Sequence, residues 1–138
     1  MIEQNAVTTV QQAYSAFQRA DMAALMALMS DTVDWQFYGP DELPTSGARH
    51  GRNEVQHFFV QVAATWAFDH FEPREIVAQG DRVISLGYYD GKAIPSGRGF
   101  SSHFAHDFTV RDGQIVRFRE YSDTAMLLSA FTGSESMV

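Results

Sequence analysis

The chain has no cysteine among its 138 residues, which excludes disulfides, thiolate nucleophiles and cysteine-bound metals. It is short of positive charge, with ten basic residues against seventeen acidic ones and a net charge of −7. A phosphate backbone demands the opposite balance, so no nucleic-acid partner is expected. No apolar run approaches membrane-spanning length, and the opening MIEQNAVTTVQQ has neither the basic start nor the apolar stretch of a secretion signal. No membrane partner and a cytoplasmic location are the resulting expectations. A phosphate-cradling glycine loop is also missing: GxG occurs only at Gly97-Arg98-Gly99, ahead of a strand pattern instead of a helix. There is no G-x-S-x-G elbow for a serine hydrolase. His50, His57 and His70 are scattered, and His103 and His106, three apart on a strand, point to opposite faces. Neither a metal nor an organic cofactor is expected.

What the chain does have is aromatic surface. Eleven Phe in a chain that is 45% hydrophobic exceed what a small core needs, and suggest an apolar cavity for a small hydrophobic molecule. The length suits one domain spanning 1–138.

In order, Val7, Val10, Tyr14 and Phe17 recur at helical spacing and predict a helix over 3–19. Tyr14 reads either as a core aromatic or as a hydroxyl aimed into a cavity. Asp21 caps a short helix over 22–29. The period then switches to two, giving a strand over 32–38 that places Val33, Trp35 and Phe37 on one face. Residues 39–47 are dense in breakers and form a loop that could roof a pocket. Asn53 caps a helix over 54–68, with Val55, Phe58, Phe59, Val62 and Trp66 as its stripe. Strands follow over 71–79 and 82–90, separated by the turn Gly80-Asp81 and ended by a turn at Gly91-Lys92. Residues 94–99 connect to a long hairpin, Asp123 caps a closing helix over 124–131, and the last six residues read as frayed. That order is α+β, with helices on one side of a strongly curved mixed or antiparallel sheet.

The hairpin 99–122 decides the chemistry. A three-residue loop, Arg111-Asp112-Gly113, with Gly113 in a left-handed bulge, sets His106 opposite Phe118 and Phe104 opposite Glu120. A two-residue loop of Asp112 and Gly113 would set Phe108 opposite Arg117, so the first register is expected. One face then carries Phe104, His106, Phe108, Val110, Val116, Phe118 and Glu120; the other carries His103, Ala105, Asp107, Thr109, Arg117, Arg119 and Tyr121. His106 and Glu120 lie on a diagonal, roughly 7–8 Å apart at the backbone. They read either as a satisfied core histidine with a rim carboxylate or as a functional pair.

Several stretches resemble a known family: the Ala20-Asp21 junction, G-R-x-x-V-x-x-F-F over 51–59, AQGDRV over 78–83, and the closing V-R-D-G-x-I-V-x-F-R-x-Y-x-D-T. They look like the SnoaL-like group of the nuclear-transport-factor-2-like superfamily, which includes relatives of ketosteroid isomerase and polyketide cyclases. The resemblance implies a cone-shaped, cystatin-like α+β barrel with an apolar pocket at its open end, and a homodimer formed through the outer sheet face. By position, His106 falls where ketosteroid isomerase carries its oxyanion-hole aspartate and Trp35 where it carries its base. That enzyme's tyrosine falls near Ala13, one residue from Tyr14. Glu120 matches a carboxylate of the limonene epoxide hydrolases, whose Arg and Asp partners would fall near Gly87 and Tyr89, so their triad is absent.

Three functions are compatible. In the first, an isomerase-, cyclase- or hydrolase-type enzyme binds a carbonyl or polyketide-like substrate among Trp35, Phe37, Phe59, Phe104, Phe108 and Phe118. Glu120, its carboxyl raised by burial, shares a proton with His106, while Tyr14 or His106 donates to an enolate oxygen. In the second, the same pocket binds without chemistry; in the third, a filled interior leaves the outer sheet as a scaffold surface.

Overall fold

The structure is a computed structural model, and it describes residues 2–133. The expected fraying at the carboxyl end falls, from residue 134 onward, outside the described residues. Helix α1 (Ile2–Gln18) buries Ala6, Val10, Ala13 and Tyr14, the stripe that its three- and four-residue spacing implies. It ends because Ala20 turns left-handed, φ +57°. The amides of Ala20 and Asp21 then reach back to the carbonyls of Phe17 and Ala16 in a Schellman closure. Asp21 next caps α2 (Met22–Ala27) by accepting from the Ala24 amide.

Six strands form one open sheet in the order β2-β1-β6-β5-β4-β3. They are β1 (Met29–Phe37), β2 (Gly47–His50), β3 (Trp66–Gln79), β4 (Arg82–Ala93), β5 (Gly99–Arg111) and β6 (Gln114–Ser122). β1 runs parallel to β6, and the other neighbours are antiparallel. The fold is the expected α+β class, but the sheet does not close into a barrel. Bulges in β3 between Phe68 and His70 and between Pro73 and Glu75 bend the sheet. Gly91 permits the close pairing there, since a Cβ would strike the Ala67 carbonyl. Helix α1 and helix α3 (Gly51–Thr65) pack on the concave face, and α4 (Thr124–Thr132) closes against β5 and β4. No helix among the described residues is long and apolar enough to cross a membrane.

The structure corrects several sequence expectations. Gly91 and Lys92 lie inside β4, which continues to Ala93. α3 starts at Gly51 and is capped from Glu54, whose carboxylate accepts the His50 amide, so Asn53 is already helical. It ends at Thr65, and Trp66 opens β3 instead of extending the helical stripe. The short strand β2 follows the 39–46 loop on the edge of β1.

The hairpin register also differs. Asp112 and Gly113 both have positive φ, +53° and +73°, so the turn holds two residues and Arg111 pairs with Gln114. A bulge then falls between Thr109 and Val110 and leaves Val116 unpaired. Ile115, fully buried, takes the inward place expected of Val116. Beyond the bulge Phe108 pairs with Phe118, and His106 lies directly opposite Glu120 instead of diagonal to it.

Candidate functional site

The concave face of β4, β5 and β6 forms the floor of an apolar hollow of about 80 Å³. Its walls include Tyr14 and Phe17 from α1, Trp35 and Phe37 from β1, Phe58 and Phe59 from α3, and Phe68 and Phe71 from β3. His106, Phe108, Phe118, Glu120 and Tyr89 complete it. A second hollow of about 320 Å³ lies against it, between α1, α2, α3 and the start of β3. Phe17, Leu25, Phe59, Val62, Trp66 and Phe68 wall both. The inner space alone is small for a ligand pocket, which ordinarily measures about 300–1,000 Å³; the outer one falls within that range.

Of the residues expected to act, His106, Glu120 and Tyr14 are brought together. Trp35, Phe37, Phe59, Phe108 and Phe118 line the hollow. Phe104 does not. Its ring stacks on His106 at 4.1 Å and covers Gly87, so it backs the imidazole from outside the space.

The polar groups form one chain. The Tyr14 hydroxyl lies 2.7 Å from His106 Nδ1. His106 Nε2 lies 2.9 Å from Glu120 Oε1. Glu120 Oε2 accepts from the hydroxyls of Tyr89 at 2.7 Å and Ser122 at 2.9 Å. His106 and Glu120 are 4% and 7% exposed, a degree of burial that ionisable groups tolerate only with partners.

Burial is the largest single influence on Glu120 and pushes its carboxyl up. The charge that His106 can carry beside it, with hydrogen bonds from His106, Tyr89 and Ser122, outweighs burial and holds it below its ordinary value of 4.5. The expected upward shift is therefore reversed, and Glu120 is a carboxylate at neutral pH. A carboxylate only accepts, so Nε2 of His106 carries the proton that faces it, and in the neutral ring Nδ1 accepts from Tyr14. Burial raises the Tyr14 phenol well above its ordinary value, against a lowering influence from nearby Ser85, so Tyr14 stays protonated and serves as a donor.

Tyr89 and Ser122 are the residues that sequence reading missed. Tyr89 follows Val83, Ser85 and Gly87 on the inward alternation of β4, and pairs across to Ser102. That alternation was available in the sequence; its meaning appears only once β4 is set in register with β5.

The 39–46 loop does reach the hollow, through Thr45. Arg49 fixes it by donating to the carbonyls of Pro44, Thr45, Ser46 and Gly47 and to Gln61 Oε1. The same guanidinium stands 4.9 Å over the Phe58 ring.

A family model of the SnoaL-like domain matches residues 10–118. A comparison with curated proteins returned no match. Among solved structures, the chain is similar to an NTF2-like protein from Burkholderia xenovorans LB400, with 28% identity and a TM-score of 0.86 over 94% of this chain and 97% of that one. It is also similar to a protein from Rhodopseudomonas palustris described provisionally as an isomerase, with 24% identity and a TM-score of 0.80 over 96% and 99% of the two chains. A third neighbour is TerC, crystallised with polyporic acid, with 22% identity and a TM-score of 0.80 over 93% and 98%. The last two likenesses speak to fold.

Proposed function

Because the chain belongs to the SnoaL-like domain family, we propose that it is an acid–base enzyme of the isomerase, cyclase or hydrolase type, acting on a small hydrophobic carbonyl compound without a cofactor. The observation that carries this reading is the unbroken chain Tyr14–His106–Glu120 set into an aromatic wall. In the proposed cycle the Tyr14 hydroxyl turns from His106 to the ligand's carbonyl oxygen, where it donates as enolate charge develops. That movement bares Nδ1 of His106, which takes the proton from the neighbouring carbon. Glu120 is anionic as the proton is taken and stabilises the imidazolium that forms through Nε2. In this step its part is to orient and charge-stabilise His106, and the proton taken from carbon stays on Nδ1.

The test is solvent-deuterium incorporation. A panel of aromatic and terpenoid ketones and aldehydes is incubated with the protein in D₂O, and deuterium beside the carbonyl is read by mass spectrometry. Incorporation above the buffer rate that disappears in His106→Ala supports the reading. If no compound in the panel exchanges, although several raise the melting temperature, the acid–base role is lost.

One observation favours a second reading, a binding pocket without chemistry. Both ring nitrogens of His106 and both oxygens of Glu120 already have partners inside the protein, a self-satisfied arrangement that a purely structural network would also show.

The homodimer is likewise a proposal. It is supported by partly exposed Tyr38, Leu86 and Tyr121 on and beside the convex face of the sheet, where Leu86, Ala105 and Tyr121 stand in register. Light scattering that gives a monomer mass for the wild type at micromolar concentration would remove it.

A further inference from the structure

His106 is enclosed by rings. Phe104 lies 4.1 Å away, Phe118 5.0 Å, Tyr14 5.8 Å and Phe108 6.0 Å, measured between centroids. With a ligand in the hollow, the pocket side offers this imidazole apolar contacts apart from Tyr14. On its other side the hydrogen-bonded chain continues. Glu120 Oε2, Tyr89 Oη and Ser122 Oγ form a triangle of oxygens with edges of 2.7, 2.9 and 2.9 Å. Tyr89 is buried, whereas Ser122 is only half-buried and lines neither hollow. It stands at the end of β6, beside the exposed helix cap Asp123. Of the polar chain that begins at Tyr14, Ser122 is thus the member that is not buried.

We infer that Ser122 is a proton port, a positioning residue through which the buried His106–Glu120 pair exchanges protons with solvent independently of the pocket entrance. The step balances as a relay. When His106 takes a proton on Nδ1, its Nε2 proton moves to Glu120 Oε1, leaving a neutral imidazole and a carboxylic acid. The carboxyl group then turns so that its O–H faces Ser122 Oγ, and the proton passes there as the serine hydroxyl releases its own proton to a water outside. One proton has entered and one has left, with His106 now protonated on Nδ1. When Nδ1 delivers its proton to the ligand, the same relay runs inward from water through Ser122 and Glu120 to Nε2, and the two passages together restore every group. Ser122 hands protons on without touching a ligand; Tyr89 holds the carboxylate but, being buried, leads nowhere.

This inference deepens the acid–base reading and rests on it, but its readout needs no substrate. The experiment follows the Nε2 proton of His106 by NMR in ¹⁵N-histidine-labelled full-length protein and measures its exchange rate with water. Ser122→Ala and Ser122→Val remove the hydroxyl, and Ser122→Thr keeps it in the same shape as Val. Expected is a slowing of at least about tenfold in Ala and Val, with Thr within about threefold of wild type. Tyr89→Phe, which takes a donor from Glu120 but leaves the port, stays within the same margin. Exchange at the wild-type rate in Val overturns the inference. So does equal slowing in Val and Thr, or in Val and Tyr89→Phe, because the effect would then follow packing or carboxylate support instead of the hydroxyl. A failure to find any exchanging substrate would remove the enzymatic reading while leaving this measurement interpretable.

Discussion

Replacing Glu120 by Gln keeps the shape of the side chain and removes its charge. The carboxylate accepts from three donors, His106 Nε2, Tyr89 and Ser122, through two oxygens. An amide offers one oxygen and brings an NH₂ that must itself find an acceptor. Hydrogen bonds to a charged partner contribute about 1.5–3 kcal/mol each and neutral ones about 0.5–1.5, so the three together lose roughly 3 kcal/mol. Breaking a buried pair from one side costs about 3–5 kcal/mol, the same order. Urea denaturation at pH 7 is expected to show this deficit as a lower midpoint with an unchanged slope.

The pH dependence gives the sharper check. The Glu120 carboxyl is lowered in the folded state, so its contribution is complete above the ordinary value of 4.5 and is lost as pH falls through the folded value. The gap between wild type and Glu120→Gln should therefore be widest near neutrality and narrow in acid. A Gln variant as stable as wild type at pH 7, or a gap that grows on acidification, would refute the ionised-carboxylate account.

Tyr14→Phe leaves His106 Nδ1 buried without its partner and should cost about 1–3 kcal/mol by urea titration. Arg49→Ala should release the 39–46 loop; limited proteolysis is expected to nick that segment first, with a stability loss of roughly 3 kcal/mol from its carbonyl contacts. Ala20→Gly should raise the melting free energy by about 0.5–1 kcal/mol, because Ala20 occupies the left-handed closing position of α1 at φ +57°; a loss of stability there would contradict the closure.

The helices and most strands are readable in the sequence because their burial follows simple periods: Val10, Ala13 and Tyr14 on α1, and Val33, Trp35 and Phe37 on β1. The pairing of His106 with Glu120 on one face also follows from alternation, and survives a mistaken register. Two one-residue shifts add up there, a loop shorter by one residue and a bulge at Val116, and a shift of two keeps every side chain on its face. Bulges answer to sheet bending, which depends on what lies across the fold, and DG alone does not distinguish the two turns. The protonation of Glu120 escapes the sequence for a related reason. Burial can be read from an apolar face. What opposes it is first the charge and hydrogen bond of His106, set directly across only by the bulge, and then donations from Tyr89, 31 residues earlier, and Ser122 at the end of β6. The function itself is carried by side chains grafted onto a widely shared fold, and the family match settles only the fold.

The central claim is that an ionised Glu120 fixes the orientation of His106 and turns Nδ1 toward Tyr14. The most direct measurement is the ring tautomer of His106 by ¹⁵N NMR across the titration. The account predicts that the neutral ring carries its proton on Nε2, with Nδ1 bare and hydrogen-bonded, and that Glu120→Gln disturbs this. A neutral ring protonated on Nδ1 in the wild type would contradict it.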